Sequence, residues 1–414
     1  MEKKYDVVGV GFGPSNLALS IAIEEYNSFN TNKIKSLFLE SKPNFTWYPD
    51  MMLPDSSMQI AFPKDLVTFR NPRSEYTFFN YLFEKGRLAD FVNLRSFYPF
   101  RVEFADYLKW ASKKIRIPVK YSSKVTSIQQ NHNLISLSYI NEANEQKNII
   151  TENVVIGMGL SPKLPQSIRS GIRVFHNYNI LDSIKKVKDF KHNKVAILGA
   201  GQSAAEVINY FYHEFPDMDI YAIFSRFGLT PSDSTPYNNQ IFDSEVVNDW
   251  YETSQETRNL LFNYHKTTNY SVVDEDLINK IYELQYKDTL LNKNRIYMKN
   301  ASIIEDCEEK EDSVCLKIKD LFTQNIQELN VDILVCATGF EPTSIKNILA
   351  HPEDYSFNGE SPTVTRNYQL EKKNNEVSSI YLNGCTENSH GFSSTLLSVT
   401  AVRAGEILSS ITLK

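Results

Sequence analysis

Tyr5-Asp6-Val7-Val8-Gly9-Val10, then Gly11-Phe12-Gly13-Pro14-Ser15-Asn16, then Leu17-Ala18-Leu19-Ser20-Ile21-Ala22-Ile23 is the stretch that decides the fold class. It reads as a short buried strand, a glycine turn and the start of an apolar helix. That order leaves unpaired N–H groups and the positive end of a helix dipole where an anion can sit. Gly11 allows the tight turn and Gly13 the close approach of a pyrophosphate, while Asn16 stands where a third glycine is usual. A second apolar strand over residues 34–39 ends at Glu40, whose carboxylate suits the ribose hydroxyls of an adenine dinucleotide.

Further along, the pattern repeats. Residues 194–198 read as a strand, Gly199-Ala200-Gly201-Gln202-Ser203-Ala204 as the turn, and residues 205–212 as the start of a helix. The next strand, over residues 219–224, ends at Ser225-Arg226 rather than at an acid, and an arginine there suits a 2′-phosphate, so NADPH is expected over NADH. Residues 331–336 predict another buried strand, running into Ala337-Thr338-Gly339-Phe340, where small residues let a backbone pass close to a cofactor. Two dinucleotide sites, one inserted in the domain of the other, let a nicotinamide face a flavin. The expected fold is therefore α/β, with two doubly wound domains.

A flavin-binding domain is expected over residues 1–162 and 338–414, and a nicotinamide-binding domain over residues 163–230 and 298–337. Pro162 and Pro165 mark a linker, since proline holds the preceding residue extended. Residues 231–297 lose the α/β alternation and read as polar, aromatic and helical, which makes them the expected substrate-binding insert.

Composition narrows the class. With 414 residues, a 42% hydrophobic share and 23% charged residues, the chain reads as a multidomain globular protein. A net charge of -6 argues against nucleic-acid binding. Cys307, Cys315, Cys336 and Cys385 form no CxxC pair and the seven histidines no HxxxH spacing, so neither a redox dithiol nor a metal site is expected. No apolar run reaches the roughly 18 residues of a membrane span, and the expected location is the cytoplasm.

The first turn resembles the opening motif of the microbial N-hydroxylating flavin monooxygenases, above all the L-ornithine N5-monooxygenases of siderophore biosynthesis. The likeness continues in order through Gln59-Ile-Ala-Phe-Pro-Lys64, Phe97-Tyr-Pro, Gly199-Ala-Gly-Gln-Ser-Ala-Ala-Glu206, Thr268-Asn-Tyr-Ser-Val-Val-Asp274, Ala337-Thr-Gly-Phe340 and Ser389-His-Gly-Phe-Ser-Ser-Thr-Leu-Leu-Ser398. By this resemblance FAD is bound by Gly11, Gly13, Pro14, Ser15, Asn16, Glu40, Trp47, Tyr48, Val125, Thr395, Leu396 and Leu397. Gln59 is implied beside the flavin ring as the catalytic position. NADPH falls to Gly199, Gly201, Gln202, Ser203, Ala204, Arg226, Asn269 and Thr338, and the amine to Lys64, Asn239, Asn269 and Ser398. The ornithine branch usually reads His-Gly-Leu-Ser-Asp in the last motif, where this chain has Phe392 and Ser394.

The resemblance implies N-hydroxylation of a small primary amine by oxygen through a C4a-hydroperoxyflavin, and a homotetramer as the family's frequent assembly. Ornithine is the expected amine, because Lys64 suits an α-carboxylate. Lysine, putrescine, cadaverine and histamine stay open. So does a flavin monooxygenase acting on a ketone or sulfide, although Lys64, Asn239 and Asn269 do not suit its apolar pocket. A disulfide reductase would need the missing CxxC.

Overall fold

The computed structural model describes residues 4–374 and 377–413. Strands β1 (Lys4–Val10), β2 (Ser36–Leu39) and β3 (Val119–Lys120) lie parallel, with Val8 opposite Leu37 and Phe38 opposite Val119. β4 (Lys124–Asn131) and β5 (Leu134–Ile140) form an antiparallel meander with the first half of β6 (Gln146–Ile156). The second half of β6 returns to pair parallel with β1. Beyond β6, the late strand Val377–Leu382 adds in parallel and brings the C-terminal part of the chain onto this sheet.

The chain leaves through β7 (Leu160–Pro162) and builds a second sheet on the same plan. Its parallel strands are β8 (Val174–His176), β9 (Lys194–Leu198), β10 (Asp219–Ile223) and β11 (Ile296–Lys299). Again a meander follows, made by β12 (Ser302–Glu309), β13 (Val314–Asp320) and β14 (Ile326–Val331), before β15 (Ile333–Cys336) inserts between β9 and β8. Whereas β6 passes from meander to sheet unbroken, the strand expected over residues 331–336 is interrupted at Asp332. That buried carboxylate accepts from the N–H groups of His192 at 2.9 Å and Lys194 at 2.8 Å, which turns the chain at this point. β16 (Phe340–Pro342) then returns to the first sheet antiparallel to β7, Phe340 opposite Pro162, so the outgoing and incoming connections lie side by side.

Both sheets are covered on their two faces, which is why β2, β9 and β15 read as unbroken apolar runs. The helix Pro14–Phe29 has Pro14 in its first turn, where a missing N–H costs nothing. Eight consecutive residues from Asn16 to Ile23 are buried, because this helix lies between the sheet and the helix Thr400–Thr412. Under the second sheet, Gln202–Glu214 plays the same part and packs against Glu275–Leu290. Ile281 is buried in that core, with Leu277 and Leu284 packed against it. The helix Glu275–Leu290 is therefore the crossover between β10 and β11. The excursion away from the sheet is confined to the helices Pro236–Asn239, Val246–Glu252 and Gln255–His265 and their loops. Among the described residues no helix is long and apolar enough to cross a membrane.

Candidate active site

The two glycine turns match in detail. Gly11 donates its N–H to the Leu39 carbonyl at 2.8 Å, and Gly199 donates to the Ile223 carbonyl at 3.0 Å, tying each turn to the next strand. Gly11 has φ +81° and a Cβ would lie 2.6 Å from the Gly157 carbonyl oxygen; Gly199 has φ +142° and a Cβ would lie 2.3 Å from that of Ala337. Neither position admits a side chain. One step on, the turns differ. A Cβ on Gly13 would meet nothing within 4 Å, so the N-terminus of Pro14–Phe29 faces open space. A Cβ on Gly201 would lie 3.3 Å from the Cα of Ser271, whose carbonyl also accepts from Arg226 Nη1 at 2.9 Å.

Glu40 holds the first turn as well as facing it. Its Oε2 accepts from the Phe12 N–H at 2.7 Å and its Oε1 from the Lys42 N–H at 2.9 Å, leaving lone pairs for another donor. Asn16 is spent inside the protein. Its Nδ2 donates to the carbonyls of Gly11 at 2.7 Å and Val10 at 3.2 Å, and its Oδ1 accepts from Asn383 at 3.1 Å. Any share it has in a ligand site is through its main chain, and the same holds for Val125, whose side chain is in the core behind β4. Ala204 is likewise core, and the Thr338 hydroxyl donates to the Lys163 carbonyl at the connection between the sheets.

A cleft of about 1510 Å³ runs between the two sheets, well above the roughly 300–1,000 Å³ of a pocket for one small ligand. It is lined by Pro14, Ser15, Trp47, Tyr48 and the segment from Thr395 to Leu397, and by Gln202 of the second turn. The same cleft brings together Gln59, Lys64, Asn239, Asn269 and Ser398, which are far apart in the chain. Gly11, Gly13, Glu40, Gly199, Gly201, Ser203 and Arg226 are outside the lining of this cleft and belong to the two turns and the strands beside them. Lys64 makes no ion pair through its ammonium among the described residues. Asn239 donates from Nδ2 to the Ser234 carbonyl at 2.9 Å, which leaves its Oδ1 as an acceptor.

Polar groups bridge the cleft. Gln59 Nε2 donates to Asp274 Oδ1 at 3.3 Å, and Gln202 Nε2 donates to Asp274 Oδ2 at 3.0 Å. Gln202 also reaches Glu206 at 3.2 Å, and Glu206 takes both arms of Arg101, at 2.9 and 2.7 Å. Fork-to-fork pairing of this kind is strong, and removing one partner of a buried pair costs about 3–5 kcal/mol. Asp274 and Glu206 close two of the motifs quoted above, whereas Arg101 carried no sequence signal.

Burial raises the pKa of two groups that line the cleft. Tyr48 is pushed up to about 12, and Cys385, the thiol that lines the cleft, up to about 11. A protonated thiol is no nucleophile for disulfide exchange. Burial pulls His390 down to about 3, and its ring stacks on Tyr368 at 4.2 Å. The Tyr270 hydroxyl donates to the Glu387 carboxylate, whose pKa burial raises, beside Asn269 and Thr395. Phe392 stacks on Phe262 at 4.8 Å and meets Trp250 edge-on at 5.5 Å, so this departure from the ornithine pattern fastens the helical excursion to the first sheet.

A sequence profile of the L-lysine 6-monooxygenase/L-ornithine 5-monooxygenase family matches residues 3–342. The chain belongs to this family. It is 36% identical to an L-ornithine N(5)-monooxygenase of Burkholderia cepacia over 406 residues, covering 94% of this chain and 90% of that one. With an L-ornithine N(5)-monooxygenase of Pseudomonas aeruginosa it shares 33% identity over 420 residues, covering 98% and 93%. Among solved structures, the ornithine N-hydroxylase of Kutzneria sp. 744, described with reduced FAD, NADP+ and L-ornithine, superposes with a TM-score of 0.94 at 36% identity over 99% of both chains. A thioredoxin reductase of Lactococcus lactis, 10% identical with a TM-score of 0.57, shares the fold alone. Members of this monooxygenase family use FAD and NADPH, and the architecture here is the two-dinucleotide α/β fold.

Proposed function

We propose that this chain N-hydroxylates the side-chain amine of L-ornithine to N5-hydroxyornithine, using FAD, NADPH and oxygen, a step suited to hydroxamate siderophore synthesis. One observation carries the reading: a single cleft is lined by Pro14 and Ser15 of the first helix N-terminus, by Gln202 of the second turn, and by Lys64, Asn239, Asn269 and Ser398. The first turn fits a flavin dinucleotide, since the space a Cβ would take on Gly13 is free for a diphosphate. When bound, the flavin supplies, with NADPH and oxygen, the electrophilic oxygen atom that the amine takes up.

The chain's own residues do the selecting and positioning. Lys64 pairs with the α-carboxylate, and Asn239 Oδ1 accepts from a donor of the substrate, with Asn269 and Ser398 completing the contact. The reacting amine must be neutral, and stripping an amine of pKa about 10.4 of its proton at pH 7.4 costs roughly 4 kcal/mol. Desolvation between the sheets supplies part of that. Gln59 and Gln202 grip the same Asp274, which links the flavin end to the nicotinamide end. On this reading residues 4–162 and 338–413 form the flavin module and residues 163–230 and 275–337 the nicotinamide module. Residues 231–274 are the substrate insert. A cytoplasmic location is part of this reading, supported by four free cysteines, which suit a reducing compartment.

Product analysis with a panel of amines tests the reading. L-Ornithine is expected to exceed L-lysine, putrescine, cadaverine and histamine by about tenfold or more in kcat/KM, since one methylene is worth about 10- to 200-fold in a fitted pocket. Faster hydroxylation of a carboxylate-free amine would refute ornithine, and NADPH oxidation without hydroxylamine would refute N-hydroxylation. Arg226→Ala is expected to raise KM for NADPH about tenfold and leave that for NADH unchanged, through loss of a charged contact to the 2′-phosphate. Equal losses with both cofactors would leave Arg226 only the holding of Ser271.

A further inference from the structure

The helix Thr400–Thr412 carries Arg403 in its first turn, and this arginine is only 2% exposed. A buried guanidinium is ordinarily matched by a carboxylate, because an unpaired ion is costly to desolvate. Arg403 has none. Its Nε donates to Asn383 Oδ1 at 2.9 Å and its Nη1 to the Ser394 carbonyl at 2.7 Å. Its Nη2 donates to Ser15 Oγ at 3.2 Å and to Thr400 Oγ1 at 3.5 Å. All four acceptors are neutral. Glu406, on the same helix, is held instead by Arg366 at 2.7 Å and the Tyr368 hydroxyl at 2.8 Å. Burial lowers the pKa of Arg403, yet a guanidinium is too basic to give up its proton at neutral pH.

Ser394 is a second, independent observation. Its hydroxyl is buried with no hydrogen-bond partner, and both Ser394 and Arg403 line the cleft. The ornithine pattern has an aspartate at this place, which would set a carboxylate beside the guanidinium and cancel its charge. Glu406 acts on Arg403 only through space, and the cation lies against the open end of a helix. Ser15 lies in the first turn of Pro14–Phe29, and a Cβ on Gly384 would be 3.6 Å from Arg403 Nη2 and 3.7 Å from Ser15 Oγ.

We propose that Arg403 is a positioning residue for the diphosphate bound at Gly13 and Ser15, acting through the Ser15 hydroxyl and left uncompensated by Ser394. The proposal rests on the flavin reading above. Because Ser15 Oγ accepts from Arg403, its single proton is directed to an acceptor in the cleft, which Ser15 lines. The cation adds to the dipole of the helix, and both favour an anion at the same point.

Titration of the apoprotein with FAD, followed by flavin fluorescence, tests this. Arg403→Gln and Ser15→Ala are each expected to raise the Kd for FAD about tenfold, the size of one charge-assisted hydrogen bond. Arg403→Lys should recover most of the loss. The double variant Ser15→Ala/Arg403→Gln should fall short of the product of the single losses, because one contact acts through the other. Ser394→Asp keeps the arginine and cancels its charge, so it should also weaken FAD about tenfold while the Kd for NADP+ is unchanged. Unchanged FAD affinity in Ser394→Asp overturns the proposal, even if Arg403→Gln fails to fold. Multiplicative losses in the double variant overturn the relay through Ser15. A wild-type chain that takes up no FAD would instead overturn the flavin reading, and this proposal with it.

Discussion

Lys64→Ala is expected to lower kcat/KM for L-ornithine by about ten- to a hundredfold while leaving putrescine and cadaverine nearly untouched. The ammonium of Lys64 lines the cleft and, among the described residues, has no acidic partner of its own. Losing it would leave the α-carboxylate unpaired in a partly desolvated place, at a cost of about 1.5–3 kcal/mol. A diamine has no carboxylate to lose. Reduction of the flavin by NADPH should survive, because the proposed reading gives Lys64 the substrate and not the nicotinamide. A misplaced amine is oxidised less often, so more hydrogen peroxide should appear for each NADPH consumed. Hydroxylamine and peroxide measured side by side decide the matter. Equal losses on ornithine and on the diamines would show that Lys64 does not read the carboxylate.

Gly13→Ala should abolish retention of FAD without harming the apoprotein. The reason is the open space at this position: an added methyl meets no protein atom within 4 Å and projects where a diphosphate would lie. Gly13 has φ -83°, which any residue adopts, so no backbone strain is added. Gly11→Ala provides the contrast. There the methyl would meet the Gly157 carbonyl oxygen at 2.6 Å and the backbone has φ +81°, so the protein itself should lose stability. Thermal melting of both apoproteins, with flavin content measured by absorbance, separates the two cases. Full flavin occupancy in Gly13→Ala would remove the first turn from the cofactor site.

Local chemistry was legible in the sequence, and distant pairing was not. The second strand–turn–helix could be read from residues 194–212, because a buried parallel strand, a glycine turn and a helix each leave a pattern within a few residues. Arg101 and Glu206 are 105 residues apart, Gln59 and Asp274 are 215 apart, and Ser15 and Arg403 are 388 apart. No periodicity records such partners. Asn16 was legible only as a substitute for glycine; its role as a buried staple between β1, β6 and Asn383 depends on strands that meet only in the folded chain. The break at Asp332 was hidden because one acid between apolar residues reads as the end of a strand face rather than as a turn. The helical stretch over residues 231–297 was recognisable as a change of rhythm. Its division at Glu275 was not, since the apolar face of Glu275–Leu290 is matched only by Gln202–Glu214.

The paired strands β7 and β16 fasten the two sheets on one side of the cleft, and the fork between Arg101 and Glu206 fastens them on another. Prising them apart means tearing a ribbon or exposing a buried ion pair, and salt does little to loosen a pair that water scarcely reaches. If Lys64 anchors the substrate carboxylate as proposed, these two fastenings would set the gap to the reacting oxygen, and the cleft would work as a ruler for the number of methylenes between the two.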